Sequence, residues 1–221
     1  MKSQKLFLAL SLPAALFFTS CDKDNPAPGI TYQVGTSTAA TAVIAGNTAN
    51  STLKWTSGYA NVVEIEFEAE SNNVEVEYKS ESRKKIDLFA PLSTLGVIVV
   101  PAGTYDDVEF EIEVEPLGTE AAFYLNGSYT NNGIATPVSF KLNAELEIES
   151  EQARVTITDG ASLTALTTLN LSLITTGVSV TMLDNATRTN GTIEISATTN
   201  TQIYDIILRN LKECGGVEID D

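Results

Sequence analysis

From Leu53 onward, apolar and polar residues alternate along most of the chain. A period of two sends successive side chains to opposite faces of a strand, so each alternating stretch predicts a strand with one dry and one wet face. VVEIEFEAE (62–70) is the first clear case, and VEVEYK (74–79) follows it after Ser71-Asn72-Asn73. Those turn-forming residues predict a hairpin between the two. Further strands are predicted at RKKIDLFA (83–90), GVIVVP (96–101) and YDDVEFEIEVE (105–115). Between the last two, Val100-Pro101-Ala102-Gly103 reads as a type I turn, with Pro second and Gly fourth. Residues 121–130 and 137–149 flank Asn131-Asn132-Gly133, a second hairpin signal. RVTIT (154–158) and GTIEIS (191–196) complete the clear strands.

Residues 160–188 fit this scheme less well. Leu163, Leu166, Leu169 and Leu173 stand at helical spacing in a Thr-rich background, which leaves one or two short helices and a strand all open. Further on, Ile203, Ile206, Ile207 and Leu211 form one apolar helical stripe, with Asn200-Thr201 as its N-cap and Gly215-Gly216 as its stop. The expected fold is mainly β: a single antiparallel β-sandwich over residues 52–221, prealbumin-like or immunoglobulin-like, with short helices near the C-terminus.

The N-terminal end is different in kind. MKSQK is a basic start, LFLALSLPAALFF is an apolar run too short for a comfortable membrane span, and Phe18-Thr19-Ser20 leads into Cys21. This resembles a bacterial lipoprotein signal peptide with its lipobox. The resemblance implies cleavage after residue 20, acylation of Cys21 and a membrane anchor of two or three acyl chains. Asp22 is read in two ways: as an inner-membrane retention signal in some bacteria, or with Lys23 and Asp24 as an export signal to the cell surface. Residues 21–51, rich in Thr, Ala, Gly, Asn and Pro, read as a flexible tether with at most one short strand, TYQV. About thirty flexible residues reach roughly 30 Å, enough to clear the lipid headgroups.

Composition narrows the chemistry. The formal charge of −16 becomes −18 once residues 1–20, with Lys2 and Lys5, are removed. That charge opposes nucleic acid and anionic lipid surfaces as partners. With Cys21 consumed by lipid, Cys214 has no intrachain partner, so no disulfide framework is expected. The chain has no histidine, which removes His-based triads and, with one free cysteine, zinc sites. No phosphate-binding Gly-rich loop stands in the sequence. A two-carboxylate hydrolase needs neither group. Its carboxyls must be tuned by burial or a partner, however, and acids in exposed strand ladders are expected to keep ordinary pKa values. The chain is therefore expected not to be an enzyme.

Acids dominate the wet faces. Glu64, Glu66, Glu68 and Glu70 alternate along one strand, Glu75 and Glu77 follow on the next, Glu109 to Glu115 on another, and Glu145 to Glu151 on a fourth. The simplest expectation is a solvated outer face. Like charges directly opposite one another are destabilising. If two acidic strands are neighbours, either the basic segment 83–85 or a cation must lie between them. Ca²⁺ is the candidate cofactor, although its sites are usually built from loops. Trp55, Tyr59 and Tyr78 are the candidate ligand contacts, as a small aromatic patch for a glycan.

Taken in order, LKWTSGYANVVEIEFEAE (53–70), IDLF (86–89), VVPAGTYDDVEFEIEV (99–114), LNGSY (125–129) and GTIEISATTNTQIYDIILRNL (191–211) resemble uncharacterised Gram-negative lipoprotein families with a domain-of-unknown-function label. The resemblance implies a prealbumin-like sandwich in which Gly103 shapes a turn and Tyr105 packs at the sandwich edge. It carries no catalytic residue. A looser resemblance is to fimbrial subunits and adhesins made as lipoproteins. The functional expectation is a lipid-anchored outer-membrane protein facing the periplasm or the exterior, with a non-enzymatic binding or structural role and a protein or glycan ligand. A fimbrial or adhesin subunit and a carbohydrate-binding lipoprotein are the alternatives.

Overall fold

A computed structural model describes residues 28–37, 41–43, 51–72 and 74–220. The expected signal peptide 1–20 and the lipidation site Cys21 lie outside the described residues. The elements run β1 (Gly29–Thr36), β2 (Thr41–Val43), β3 (Ser51–Ser71), β4 (Val74–Asp87), β5 (Ser93–Val99), β6 (Gly103–Val114), β7 (Phe123–Asn131), β8 (Ile134–Leu142), β9 (Leu146–Ile157), β10 (Ser162–Leu169), a 3-10 turn (Leu173–Thr175), α1 (Val180–Asp184), β11 (Arg188–Thr189), β12 (Thr192–Ser196), α2 (Thr201–Lys212) and β13 (Gly215–Asp220).

These strands form the two sheets of a β-sandwich. The small sheet has the order β13-β10-β1-β5; the large one runs β11-β12-β8-β7-β3-β6-β9, with β2 and β4 also paired to β3. The long strand β3 organises the large sheet. Its first half pairs with β7 and its second with β6, while β4 runs along the opposite edge. The fork is at Asn61, a buried residue. Its N–H donates to Ala122 O (2.8 Å), its carbonyl accepts from the Glu115 N–H (3.1 Å), and its side-chain amide donates to Ala121 O (2.8 Å). An amide side chain is required here because the diverging strands leave a buried carbonyl that no ladder satisfies.

β3 is bulged at Thr56 and at Val63, where a residue is passed over in the pairing, and its register with β6 shifts once more between Glu68 and Glu70. Each bulge reverses which positions face inward. Leu53 and Trp55 are buried, then Ala60 and Val62, then Ile65, Phe67 and Ala69. The hairpin predicted at Asn131-Asn132-Gly133 joins β7 to β8, with Asn132 and Gly133 both at positive φ, as a tight two-residue turn requires.

The core lies between the sheets. Tyr32 of β1 stacks on Phe110 of β6 (5.4 Å between ring centres), and Phe67 meets Phe110 and Tyr105 edge-on. At the other end α2 replaces the small sheet, stacking Tyr204 on Phe140 of β8 at 5.7 Å. Tyr105 is buried rather than at an edge, and its hydroxyl donates to Pro101 O (2.8 Å). It thereby pins the corner at which the chain crosses from β5 in one sheet to β6 in the other.

Several expectations are corrected. The short strand expected at TYQV is present as β1, but it is an interior strand of the small sheet, with Ile30, Tyr32 and Val34 buried, rather than part of a flexible tether. Its period-two signal is short and lies in low-complexity surroundings, but its neighbours β5 and β10 satisfy both of its edges. The sandwich is not wholly antiparallel, since β1–β10 and β12–β8 are parallel. Of the alternatives left open for residues 160–188, the strand holds for Leu163, Leu166 and Leu169, which sit on β10 with Leu163, Ala165, Thr167 and Leu169 as its buried positions. Gly215-Gly216 does not cap α2; it opens β13, where a side chain on Gly215 would strike Ser150 and the Glu149 backbone of the facing sheet. Asn200 does stand at the N-cap of α2, but in the left-handed conformation and without capping the helix. Its side chain instead ties Thr187 N–H (2.8 Å), Thr187 O (2.9 Å) and Glu194 O (2.7 Å) together.

Candidate functional site

The outer face of β4-β3-β6-β9 carries the acids. Pairing sets them in four rows running across the four strands. The rows are Glu81–Glu64–Glu113–Glu147, Lys79–Glu66–Glu111–Glu149, Glu77–Glu68–Glu109–Glu151 and Glu75–Glu70–Asp106–Arg154. The last row stays in line because Asp107 forms a bulge at positive φ, a conformation Asp tolerates better than most residues. The inner partners of these strands, among them Ile65, Phe67, Phe110, Ile112, Leu146 and Ile148, are buried.

Acidic strands are thus direct neighbours, and the basic segment 83–85 does not separate them: it pairs with residues 61 and 62 and around the bulge, at the start of the acidic run. Each glutamate opposite another costs a few tenths of a kcal/mol to about 1 kcal/mol. Two basic side chains stand in the rows. Lys79 lies 2.9 Å from Glu66, 2.8 Å from Glu77 and 3.8 Å from Glu64, and Arg154 lies 3.1 Å from Asp106. The middle of the β6–β9 side has no basic partner within the rows.

Burial changes the chemistry of the central acids. Neighbouring side chains leave Glu66 7% exposed. Desolvation raises its carboxyl to about 7, against the pull of Lys79. Glu111 also rises to about 7, through desolvation and then the charges of Glu147, Glu109, Glu68 and Glu149. Glu109 and Glu113 are raised by the same two causes. Glu77 moves the other way because it accepts from Lys79. The expectation that ladder acids keep ordinary pKa values is therefore corrected for Glu66, Glu109, Glu111 and Glu113, which burial beside long neighbouring side chains desolvates. Raised carboxyls beside ionised ones are also the equipment of a glycosidase. The rows, however, hold no aromatic side chain on which a sugar ring could stack.

The ligand contacts expected at Trp55, Tyr59 and Tyr78 are not brought together. Trp55 is 1% exposed, and its indole N–H has no partner. Tyr59 points to the outer face. On a regular strand positions 55 and 59 would share a face; the bulge at Thr56 sends them to opposite ones. Tyr78 sits opposite Phe67, toward the core, with 6.2 Å between ring centres. What Tyr59 does meet is Tyr124 of β7 (5.5 Å, planes 35° apart) and Lys85, whose ammonium lies 4.0 Å above its ring. With Gly58, Asp87 and Asn126 these residues line an open depression. Tyr124 was not expected here; its place follows only from the β3–β7 register. Cys214 is buried, and desolvation pushes its thiol up to about 12.

Comparison of the chain with protein-family models, curated proteins and solved structures finds no match.

Proposed function

We propose that this chain is a lipid-anchored cell-envelope protein with a non-enzymatic binding role, held to the outer membrane through Cys21 and presenting the acidic face of its sandwich. The carrying observation is that face itself. The packed core stands behind it without help from the glutamates, whose opposition across strands works against the fold. A surface of this kind suits cations or strongly basic partners, and its field drives away nucleic acid and anionic lipid. The basic start, short apolar run and Cys21 support the anchor.

Labelling with a clickable fatty acid tests the anchor: the parent chain takes up label and fractionates with membrane, and Cys21→Ser does neither. Unlabelled, freely soluble parent protein would overturn the reading. Proteinase K treatment of intact cells then decides which way the domain faces. Loss of the protein beside an intact periplasmic control places it outside, and protection until lysis places it inside the envelope.

A second reading, glycan binding, is favoured by the Tyr59–Tyr124 pair with Lys85, Asp87 and Asn126 around it. Paired aromatic faces flanked by polar groups match one face of a sugar ring. Saturation-transfer NMR with a panel of oligosaccharides tests it. Transfer that Tyr59→Ala abolishes supports it, and no transfer from any member of the panel rejects it.

A further inference from the structure

Strand β4 is paired along one side only, to β3. On its far side β5 comes close over the second half, where the Ser82 hydroxyl donates to Leu95 O (3.1 Å) and Lys84 reaches Thr94 O. These are side-chain bridges; β5 itself pairs with β1. Ahead of them, over residues 74–79, no strand among the described residues pairs with the far side of β4. Alternate residues of such an edge turn their N–H and C=O groups outward, a template for one more strand. Arg83, at positive φ beside the break in the β3–β4 register, ends the regular stretch. The two faces beside this edge differ in chemistry. Glu75 and Glu77 stand on the outer face, where Lys79 is already held by Glu66 and Glu77. On the inner face Val76 and Tyr78 are only partly buried against the core, and Val74 is 61% exposed. Charged side chains guard many edges against pairing. Here the guard has one sign: a second copy of β4 would bring glutamates against glutamates, whereas a basic strand would meet attraction.

We infer that the open edge of β4 takes up an extended segment of a partner protein in which lysine or arginine alternates with apolar residues. Main-chain bonds to the edge supply affinity, and the alternation supplies specificity. The basic side chains lie beside Glu75 and Glu77 and continue the acidic rows with the charge those rows lack. The apolar side chains cover Val74, Val76 and Tyr78 and carry the core outward by one strand. A segment basic at every position would set charge against Val76 and Tyr78, and an acidic one would be repelled. The inference rests on the acidic face as the binding surface, names the form in which a basic partner arrives there, and is independent of lipid anchoring.

A labelled peptide of alternating lysine and valine tests it, titrated with the full chain in detergent and followed by fluorescence anisotropy. The control peptide has the same composition, with its lysines and valines gathered into two blocks. NaCl at about 150 mM screens charges more than about 8 Å apart. The alternating peptide is expected to bind about tenfold more tightly than the blocked one. Hydrogen exchange read by mass spectrometry should slow over residues 74–79 in the complex and stay unchanged over β9. Glu75→Lys/Glu77→Lys should release this peptide and take up one with glutamate in place of lysine. Equal affinity for the two peptides, with no slowing at 74–79, would overturn the inference and leave the acidic face as a surface for basic partners. Binding of neither peptide would overturn both readings. Slowing at 74–79 that grows with protein concentration in the absence of peptide would give the edge to a second copy and overturn the inference as well.

Discussion

Raising the pH from 5.5 to 8 in EDTA should destabilise this protein, and the acidic rows set the size of the effect. Glu66 and Glu111 have folded-state pKa values of about 7 against an ordinary 4.5. A carboxyl raised by folding favours the folded state while it is protonated. Its contribution is complete below 4.5 and is lost as the pH rises through 7. The starting pH of 5.5 lies about 1.5 units below that value, so each group loses about 2 kcal/mol over the window at 1.36 kcal/mol per unit. The two face each other across β3 and β6. Their perturbing neighbours differ, Lys79 and Glu77 for Glu66 but Glu147, Glu109, Glu68 and Glu149 for Glu111, so the two losses add to about 4 kcal/mol. Glu109 and Glu113 push the same way. Glu77, lowered by Lys79, opposes them only below its ordinary value, outside the window. With no histidine in the chain, no side chain of ordinary pKa titrates between these limits. Urea unfolding followed by circular dichroism should give a lower midpoint at pH 8, and Tm should fall by about 10 °C. In the double variant Glu66→Gln/Glu111→Gln, Tm at pH 8 should rise toward its pH 5.5 value and the slope should flatten. A parent Tm that is flat or rises over this range would refute the account of the rows, as would a double variant that keeps the parent's slope.

Other parts of the fold make separate demands. Tyr32→Ala should cost about 3–5 kcal/mol in urea unfolding, because it empties a buried aromatic site against Phe110 on an interior strand. Tyr32→Phe should cost only about 1 kcal/mol, for the 2.6 Å bond to Thr167; near-neutral behaviour of both would return β1 to the tether. Asn200→Gly keeps the left-handed backbone but removes three side-chain bonds, so hydrogen exchange should quicken around Thr187 and Glu194, with about 2 kcal/mol lost overall. Cys214 should resist a thiol reagent at pH 8 until the protein unfolds, and rapid labelling of the native chain would contradict its burial.

The wet and dry faces of β4, β6 and β9 are legible in the sequence because a period of two needs only neighbours along the chain. Strand β3 shows where such reading stops. Its twenty-one residues reverse their inward positions at Thr56 and Val63, and nothing at those residues announces a bulge. The stretch 53–61 therefore looks irregular, and Trp55 and Tyr59 look like partners when they lie on opposite faces. The same limit explains β10, where Thr167 fills a buried position and hides the alternation behind leucines at helical spacing. There the deciding interaction is the Tyr32 hydroxyl, far away along the chain.

The acidic face carries this furthest. Each glutamate ladder can be read along its own strand, and read that way each is only a soluble surface. Its chemistry arises between strands. Glu111 is raised by Glu147 and Glu149 of β9 and by Glu68 of β3 as well as by Glu109 beside it, and the strands between β6 and β9 in the chain, β7 and β8, lie on the other branch of the fork at Asn61. Had β7 or β8 followed β6 in the sheet, their polar and apolar outer positions would have separated the ladders. The fork removes that separation and sets β3, β6 and β9 side by side. A local decision at one buried amide thus joins three solvated stripes into one continuous field of carboxylates, in which Glu66 and Glu111 give up their protons only near pH 7.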